Sequence, residues 1–303
     1  MNPIILIYFT LLEIFNLFML MEERSDIPRI CLYIVTINKL GFLSYYIFLD
    51  VAESYKQYLQ LQGYDVVISE QPMEDRKNII FGCNVYNGQK DFPKNSIIVD
   101  LEQLGNGSVF GNEKYLSYLR RFEVWTYSRH NVNWLTDHGV TNVKYVPVAY
   151  MPCIEYKIEN TEDIDILFIG NVRPQRRYIL RDTLKKLRPD LNVVFQFGVW
   201  GVERDKLMKR AKILLNIGSS DVIHLFESVR VIRYMANKKF VISENAININ
   251  EYLHFAPGLV ICPYKDLVSQ ILKYISLPEE RKRIANIGYE LVKKHPLVLP
   301  PIV

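Results

Sequence analysis

From Arg29 onward the chain alternates short, nearly continuous apolar runs with longer stretches whose apolar positions recur every three or four residues. Runs rich in Ile and Val that do not alternate with polar residues predict strands buried on both faces, as in a parallel sheet covered by helices. In the first half these runs fall at 29–36, 65–69, 78–83, 96–101, 124–128 and 143–148. The stretch 48–63 has helical spacing and stops at Gly63, a residue suited to a helix end. Residues 149–163 lose all periodicity, gain polarity and carry a proline, which predicts a linker. A second series then begins, with strands expected at 166–170, 192–199, 213–218, 239–244 and 259–264 and a closing helix at 278–295. The expected architecture is α/β, two consecutive doubly wound domains whose strand ends face each other across a cleft. The first domain runs over 27–150 and the second over 151–303.

Residues 1–26 precede this series and contain a nearly unbroken apolar run, 3–21, of helical length. About 20 apolar residues span a bilayer, and this run reaches that length only by including Glu13 and Asn16. It has no basic flank and no small-residue cleavage site, which argues against a cleaved signal. Two readings stay open, a membrane anchor or an extra helix packed on the first domain.

Composition narrows the function classes. A 303-residue chain that is 49% hydrophobic can fill two cores. Thirty-seven basic and 33 acidic side chains leave a formal charge of +4, too little for a dedicated nucleic-acid binder. Cys31, Cys83, Cys153 and Cys262 are widely spaced with no CxxC pair, so reduced thiols in a cytoplasmic setting are expected.

The candidate chemistry lies at the strand ends of the second half. The run 163–170 ends at Gly170 and leads into a helix that opens with Arg173, Arg176 and Arg177. A helix N-terminus is already partly positive, so cations gathered there point to an anion between them, a phosphate above all. The bland alternative is a solvated basic face continuing through Arg181, Lys185 and Lys186. Glu227 precedes a helix, Arg230 follows one turn along, and Glu244 ends the next strand. Carboxylates so placed can grip sugar hydroxyls, although a plain Glu227 to Arg230 ion pair explains two of them equally well. On the first-half side, Glu102 and Gln103 follow a strand end, Tyr127 and Ser128 follow another, and Asn131 is near. Glu102 is the best placed acidic candidate for a general base, against the alternative that it and Gln103 tie down loop backbone. Gly41 sits in a loop, 38–46, where it could let a substrate approach the chain.

The segments DIDILFIGNVRPQRR, GVWGVERDKL, LLNIG and ESVRVIRYMANKKFVISE resemble the C-terminal domain of GT-B glycosyltransferases of the group-1 type. The segments SIIVDLEQL, EVWTYSRHNVNWL and NVKYVPV resemble the acceptor-side domain of the same enzymes, so the likeness covers about 29–295. It implies two Rossmann-like domains and metal-independent transfer of a sugar from a nucleoside-diphosphate donor to a glycan, lipid or protein acceptor, with no cofactor and no nucleic-acid partner. By the same likeness Arg176 and Arg177 meet the donor pyrophosphate, Gly170 lets the backbone approach it and Glu227 binds donor hydroxyls, while Arg173, Asn216, Arg230 and Glu244 are assigned to the donor from their places at the strand ends and helix starts. Glu102 acts as catalytic base, while Gly41, Gln103, Tyr127, Ser128 and Asn131 face the acceptor.

The chain departs from that pattern in two places. The family often carries two glutamates eight residues apart, yet Met235 stands eight beyond Glu227 and the usual second position is Arg233. A histidine often found after the LLNI strand is Gly218, with His224 six residues later. Two further readings therefore stay open beside transfer, a nucleotide-sugar epimerase on the same architecture and a degenerate transferase kept as a scaffold. Asp163 and Asp165 mimic a DxD metal motif but precede a strand and a basic helix, GNGSVFG at 105–111 lacks the spacing of a nicotinamide fingerprint, and the five histidines show no ligand spacing. No metal site is expected.

Overall fold

The computed structural model describes residues 27–36, 41–86, 91–105, 107–108, 110–156, 162–171, 174–219 and 224–302, with side chains of 41–44 excepted. The apolar leader, Arg173 and Asn106 lie outside the described residues.

Two all-parallel sheets form the molecule. The first has six strands, β1 (Arg29–Ile34), β2 (Asp65–Ser69), β3 (Lys77–Phe81), β4 (Ile97–Asp100), β5 (Glu123–Thr126) and β6 (Val143–Tyr145), in the order β2-β1-β3-β4-β5-β6. The second has five, β7 (Ile164–Ile169), β8 (Val193–Gln196), β9 (Ala211–Asn216), β10 (Val241–Glu244) and β11 (Val260–Cys262), in the order β11-β10-β9-β7-β8. The expected α/β class and the strand positions hold, with most ends one to three residues shorter. Every residue of β3 after Lys77 is buried, and five of six in β7, because helices cover both faces of each sheet.

The chain reverses direction across each sheet once, between β1 and β3 in the first and between β7 and β9 in the second. Such a reversal opens a crevice beyond the strand C-termini. Gly170 and Asn171 follow β7, and Gly218 and Ser219 follow β9, so both lips of the second crevice carry a glycine within two residues of the strand end. Helix α1 (Gly41–Leu61) starts well before the expected 48–63. Residues 41–46 are thus the first turns of a helix and not a loop, so Gly41 stands at the helix start. Its inward face, Phe48, Val51, Ala52, Tyr55 and Leu59, repeats at helical spacing and fills the first core.

That core also contains Leu297 and Leu299. After helix α8 (Pro278–Lys293; α2 to α7 are introduced with the site) the chain crosses back, and Tyr150 N–H and Leu297 N–H exchange bonds with the carbonyls of His295 and Tyr150 at 3.2 and 2.9 Å. The boundary drawn at 150 separates the sheets, but the segment from Pro296 packs with the first domain.

Candidate functional site

Between the two sets of strand ends lie two adjoining cavities of about 480 and 310 Å³ that share Ile47, Asn171, Glu227, Val229 and Arg230. The larger one adds Glu102, Gln103 and Arg177. The smaller extends over Phe197 and Trp200, in the turn between β8 and helix α5 (Gly201–Arg210). For numbering, α2 is Glu113–Leu119, α3 Arg129–Asp137, α4 Gln175–Leu187, α6 Ser228–Ala236 and α7 Leu267–Ile275.

The two adjacent arginines at the start of α4 have different fates. Arg176 turns beneath the strands and makes a two-point ion pair with Glu244 at 2.7 and 2.8 Å, and its guanidinium lies 4.2 Å from the centre of the Tyr264 ring. Glu244 also accepts from Gly218 N–H at 2.9 Å. Arg176 and Glu244 are both buried and neither lines the cleft, which corrects the expectation that Arg176 meets the donor and Glu244 its hydroxyls. The anion that a cationic helix start calls for is supplied by the protein itself. Asn216 is likewise beneath the surface, bonded from its amide to Ser243 and accepting from Arg230 at 2.8 Å, so it positions Arg230 and does not reach the cleft.

Arg177 does reach it. Its guanidinium donates to the carbonyls of Ile217 and Gly218 at 2.6 and 3.2 Å and to that of Asn171 at 2.5 Å. It stands 4.8 Å from the Phe168 ring centre, and Arg230 stands 5.3 Å from the same ring. Burial, and then the Arg230 charge beside it, pull the Arg177 pKa down to about 10. Two like charges held against one aromatic ring concentrate positive charge at the crevice floor. Gly170 makes this possible: at φ 155° a Cβ there would come within 3.0 Å of Arg230 Nη2 and 3.1 Å of Phe168.

Facing the arginines are carboxylates. Glu227, directly before α6, accepts a short bond from the Gln103 amide, and Gln103 Oε1 accepts from Leu225 N–H at 3.1 Å. Gln103 thus bridges the two domains and fixes the carboxylate beside Arg230. Glu102 follows β4, with Oε1 accepting from Asn84 at 2.6 Å. Burial, then the Asp100 and Glu227 charges, push its pKa up to about 8. Asp100 below it takes bonds from Tyr115, Thr126, Asn131 and the Glu102 N–H.

The remaining acceptor-side candidates are structural. Asn131 is fully buried, donating to Asp100, Thr126 and the Glu102 carbonyl. Tyr127 is buried, and its carbonyl accepts from Tyr252. Ser128 caps α3 and donates to Glu251 at 3.0 Å. None of the three lines the cleft, because their strand ends lie under the interdomain contact. Glu251 completes that contact by accepting from the N–H groups of Arg129 and His130 at 2.8 and 3.2 Å.

A second bridge joins Asp50 of α1 to Arg204 and Arg233, both of which also pair with Asp205. Arg233, at the usual place of the second glutamate, is therefore held by two aspartates. Met235 is fully buried in the second core, against Gly258 and Gly288. Gly218 lies under the His224 ring, where a Cβ would come within 2.6 Å. Asp163 and Asp165, at the opposite end of β7, pair with Arg210 and Lys212. Pattern reading missed Asn171, Phe110 and Asp50. Asn171 was signalled by its place directly after Gly170, and Phe110 by the glycine-rich run set aside for its spacing, whereas nothing local marks Asp50.

Residues 156–298 match the family described as glycosyl transferase-like. That match takes in every strand of the second sheet. An uncharacterized protein of Acanthamoeba polyphaga mimivirus is 31% identical over 188 residues, which is 60% of each chain. The chain spans between 20% and 49% of three further mimivirus relatives. Among solved structures, WaaG, a glycosyltransferase involved in lipopolysaccharide biosynthesis, superposes with a TM-score of 0.55 at 11% identity, covering 88% of this chain and 95% of that one. T4 phage BGT, in complex with UDP and Mn2+, superposes with a TM-score of 0.51 at 14% identity, covering 88% and 94%. The glycosyltransferase fold, GT-B, thus extends over both domains. Among the described residues no helix is long and apolar enough to cross a membrane.

Proposed function

We propose that the chain transfers a glycosyl group from a nucleoside-diphosphate sugar to a hydroxyl acceptor. The observation that carries this reading is the pairing of Arg177 and Arg230 over Phe168 at the crevice floor, opposite Glu227 and Glu102. The diphosphate lies against the two guanidiniums, and the exposed Phe197 and the half-buried Trp200 offer flat faces to the nucleobase. Glu227, held by Gln103, accepts from hydroxyls of the donor. Glu102, once deprotonated, takes the proton of the acceptor hydroxyl while that oxygen attacks the anomeric carbon. The bond from that carbon to the diphosphate breaks, its electron pair leaves with the diphosphate, and the arginines receive the charge.

In this scheme the guanidiniums do the work that a divalent cation does elsewhere, so transfer is metal-independent. The T4 phage structure carries Mn2+, which makes the metal the first point to test. Thermal shift over UDP, GDP, dTDP and ADP identifies the base, and turnover is then followed with and without EDTA. Stabilisation by one diphosphate, lost in Arg230→Ala, is the expected outcome. Indifference to all four, or activity abolished by EDTA and restored by Mn2+, overturns the respective part.

A further inference from the structure

The larger cavity has two walls of different chemistry. Its second-domain wall carries the charges, Arg177, Arg230 and Glu227. The wall facing it from the first domain is largely hydrocarbon, built from Ile47, Phe48, Leu101 and Phe110. Ile47 is half exposed and stands at the junction of both cavities.

The polar groups on that wall are mostly occupied. Gln103 spends its amide on Glu227 and on Leu225 N–H. Ser108 donates to the Gln103 carbonyl at 2.7 Å and accepts from Phe110 N–H at 3.2 Å. Among the described residues of the wall, Glu102 alone keeps a side-chain oxygen open, since Asn84 takes only Oε1. The described part of the wall also contains no Lys, Arg or His.

A sugar acceptor buries several hydroxyls, and each one left without a partner is costly. A nucleic acid brings phosphates that need cations along its path. One open carboxylate set in hydrocarbon suits neither. It suits one hydroxyl whose remaining surface is apolar, because that surface gains by leaving water. We propose that the acceptor is a single hydroxyl carried on an apolar body, an aliphatic alcohol or a phenol. This rests on the transferase reading above, and Glu102 meets the hydroxyl in the role given there.

The test separates the two ideas by titrating each wall. UDP and the other nucleoside diphosphates report on the charged wall. 1-Octanol, 2-naphthol, maltose and a short DNA duplex report on the other, each followed by saturation-transfer NMR with and without nucleotide. Either apolar alcohol is expected to bind at least tenfold more tightly than maltose or DNA. Phe110→Asp should weaken that binding at least tenfold while leaving nucleotide affinity and melting temperature in place. Ile47→Asp serves as a second probe of the same wall if Phe110→Asp fails to fold. If 1-octanol alone binds the acceptor is aliphatic, and if 2-naphthol alone binds it is aromatic, each supporting the inference. Failure of both alcohols, or preference for maltose or DNA, overturns the acceptor class whatever the nucleotides do. Failure of every nucleotide, with an alcohol bound, sinks the transferase reading and leaves the apolar site standing.

Discussion

The strand ends of the two domains solve opposite electrostatic problems. On the first domain the buried charge is negative: Asp100 sits among four donors and Glu102 lies just above it. On the second it is positive: Arg176 and Arg177 sit among a carboxylate and the carbonyls that β7 and β9 present after their last residues. In both, one ionisable group is satisfied internally, by hydrogen bonds or an ion pair, and a second beside it is left facing the cleft. Asp100 supports Glu102, and the Arg176 to Glu244 pair underlies Arg177. Sequence adjacency therefore says little about role, since Arg176 and Arg177 are neighbours and only one meets the cleft.

The sharpest way to break this comparison is to remove a buried member. Arg176→Ala leaves Glu244 buried without its ion partner and should cost about 3–5 kcal/mol, read as a lower midpoint in urea unfolding. If stability is unchanged, Arg176 is not the internal neutraliser. Next in size is Arg230, which shares the Phe168 ring with the cleft-facing Arg177. Arg230→Ala should keep the fold but lower kcat/KM by roughly 10–1000-fold, the scale for losing a charged group aimed at developing charge. Equal kinetics in the variant would separate these arginines from the leaving group.

The negative side is best read through pH. The Glu102 pKa, about 8 against an ordinary 4.5, is raised on folding. Its contribution to stability is therefore complete below pH 4.5 and is lost as pH climbs through 8. Glu102→Gln should flatten the melting temperature over that window and gain on the native protein above pH 8. The same carboxylate must be ionised to act as base, so kcat should rise toward a plateau above pH 8 and fall at least a hundredfold in the variant. A melting curve of unchanged slope would show that Glu102 is not desolvated in solution. The smallest effect is expected at Glu251→Ala, which takes a carboxylate from the N-terminus of α3 and should cost about 0.5–2 kcal/mol, seen as a lower melting temperature with turnover retained.

Much of the fold was legible because parallel strands buried on both faces leave unbroken apolar runs, as ILFI and IIV do in β7 and β4. The start of α1 was not, since residues 41–47 are apolar almost throughout and show no helical stripe. At the site, Arg177, Glu227, Arg230, Glu102 and Gln103 stand where strand-end logic puts them. Arg176, Glu244, Asn216, Tyr127, Ser128 and Asn131 also follow strand ends, yet point under the cleft. A strand end specifies which edge of the sheet a residue occupies, and the direction of its side chain depends on partners far away in the chain. Arg176 and Glu244 are 68 residues apart, and Gln103 and Glu227 are 124 apart.

The return of the chain to its first domain bears on how the protein is made. Domains commonly acquire structure in the order of synthesis, at about 5–20 residues per second. Here the first sheet is encoded by residue 145, but the core beneath it includes Leu297 and Leu299. While some 150 intervening residues are being translated, the first domain holds an apolar groove that Leu297 and Leu299 later help to fill. The nascent chain is thus a client for whatever shields hydrophobic surface at the ribosome exit, and its two halves reach their final form together.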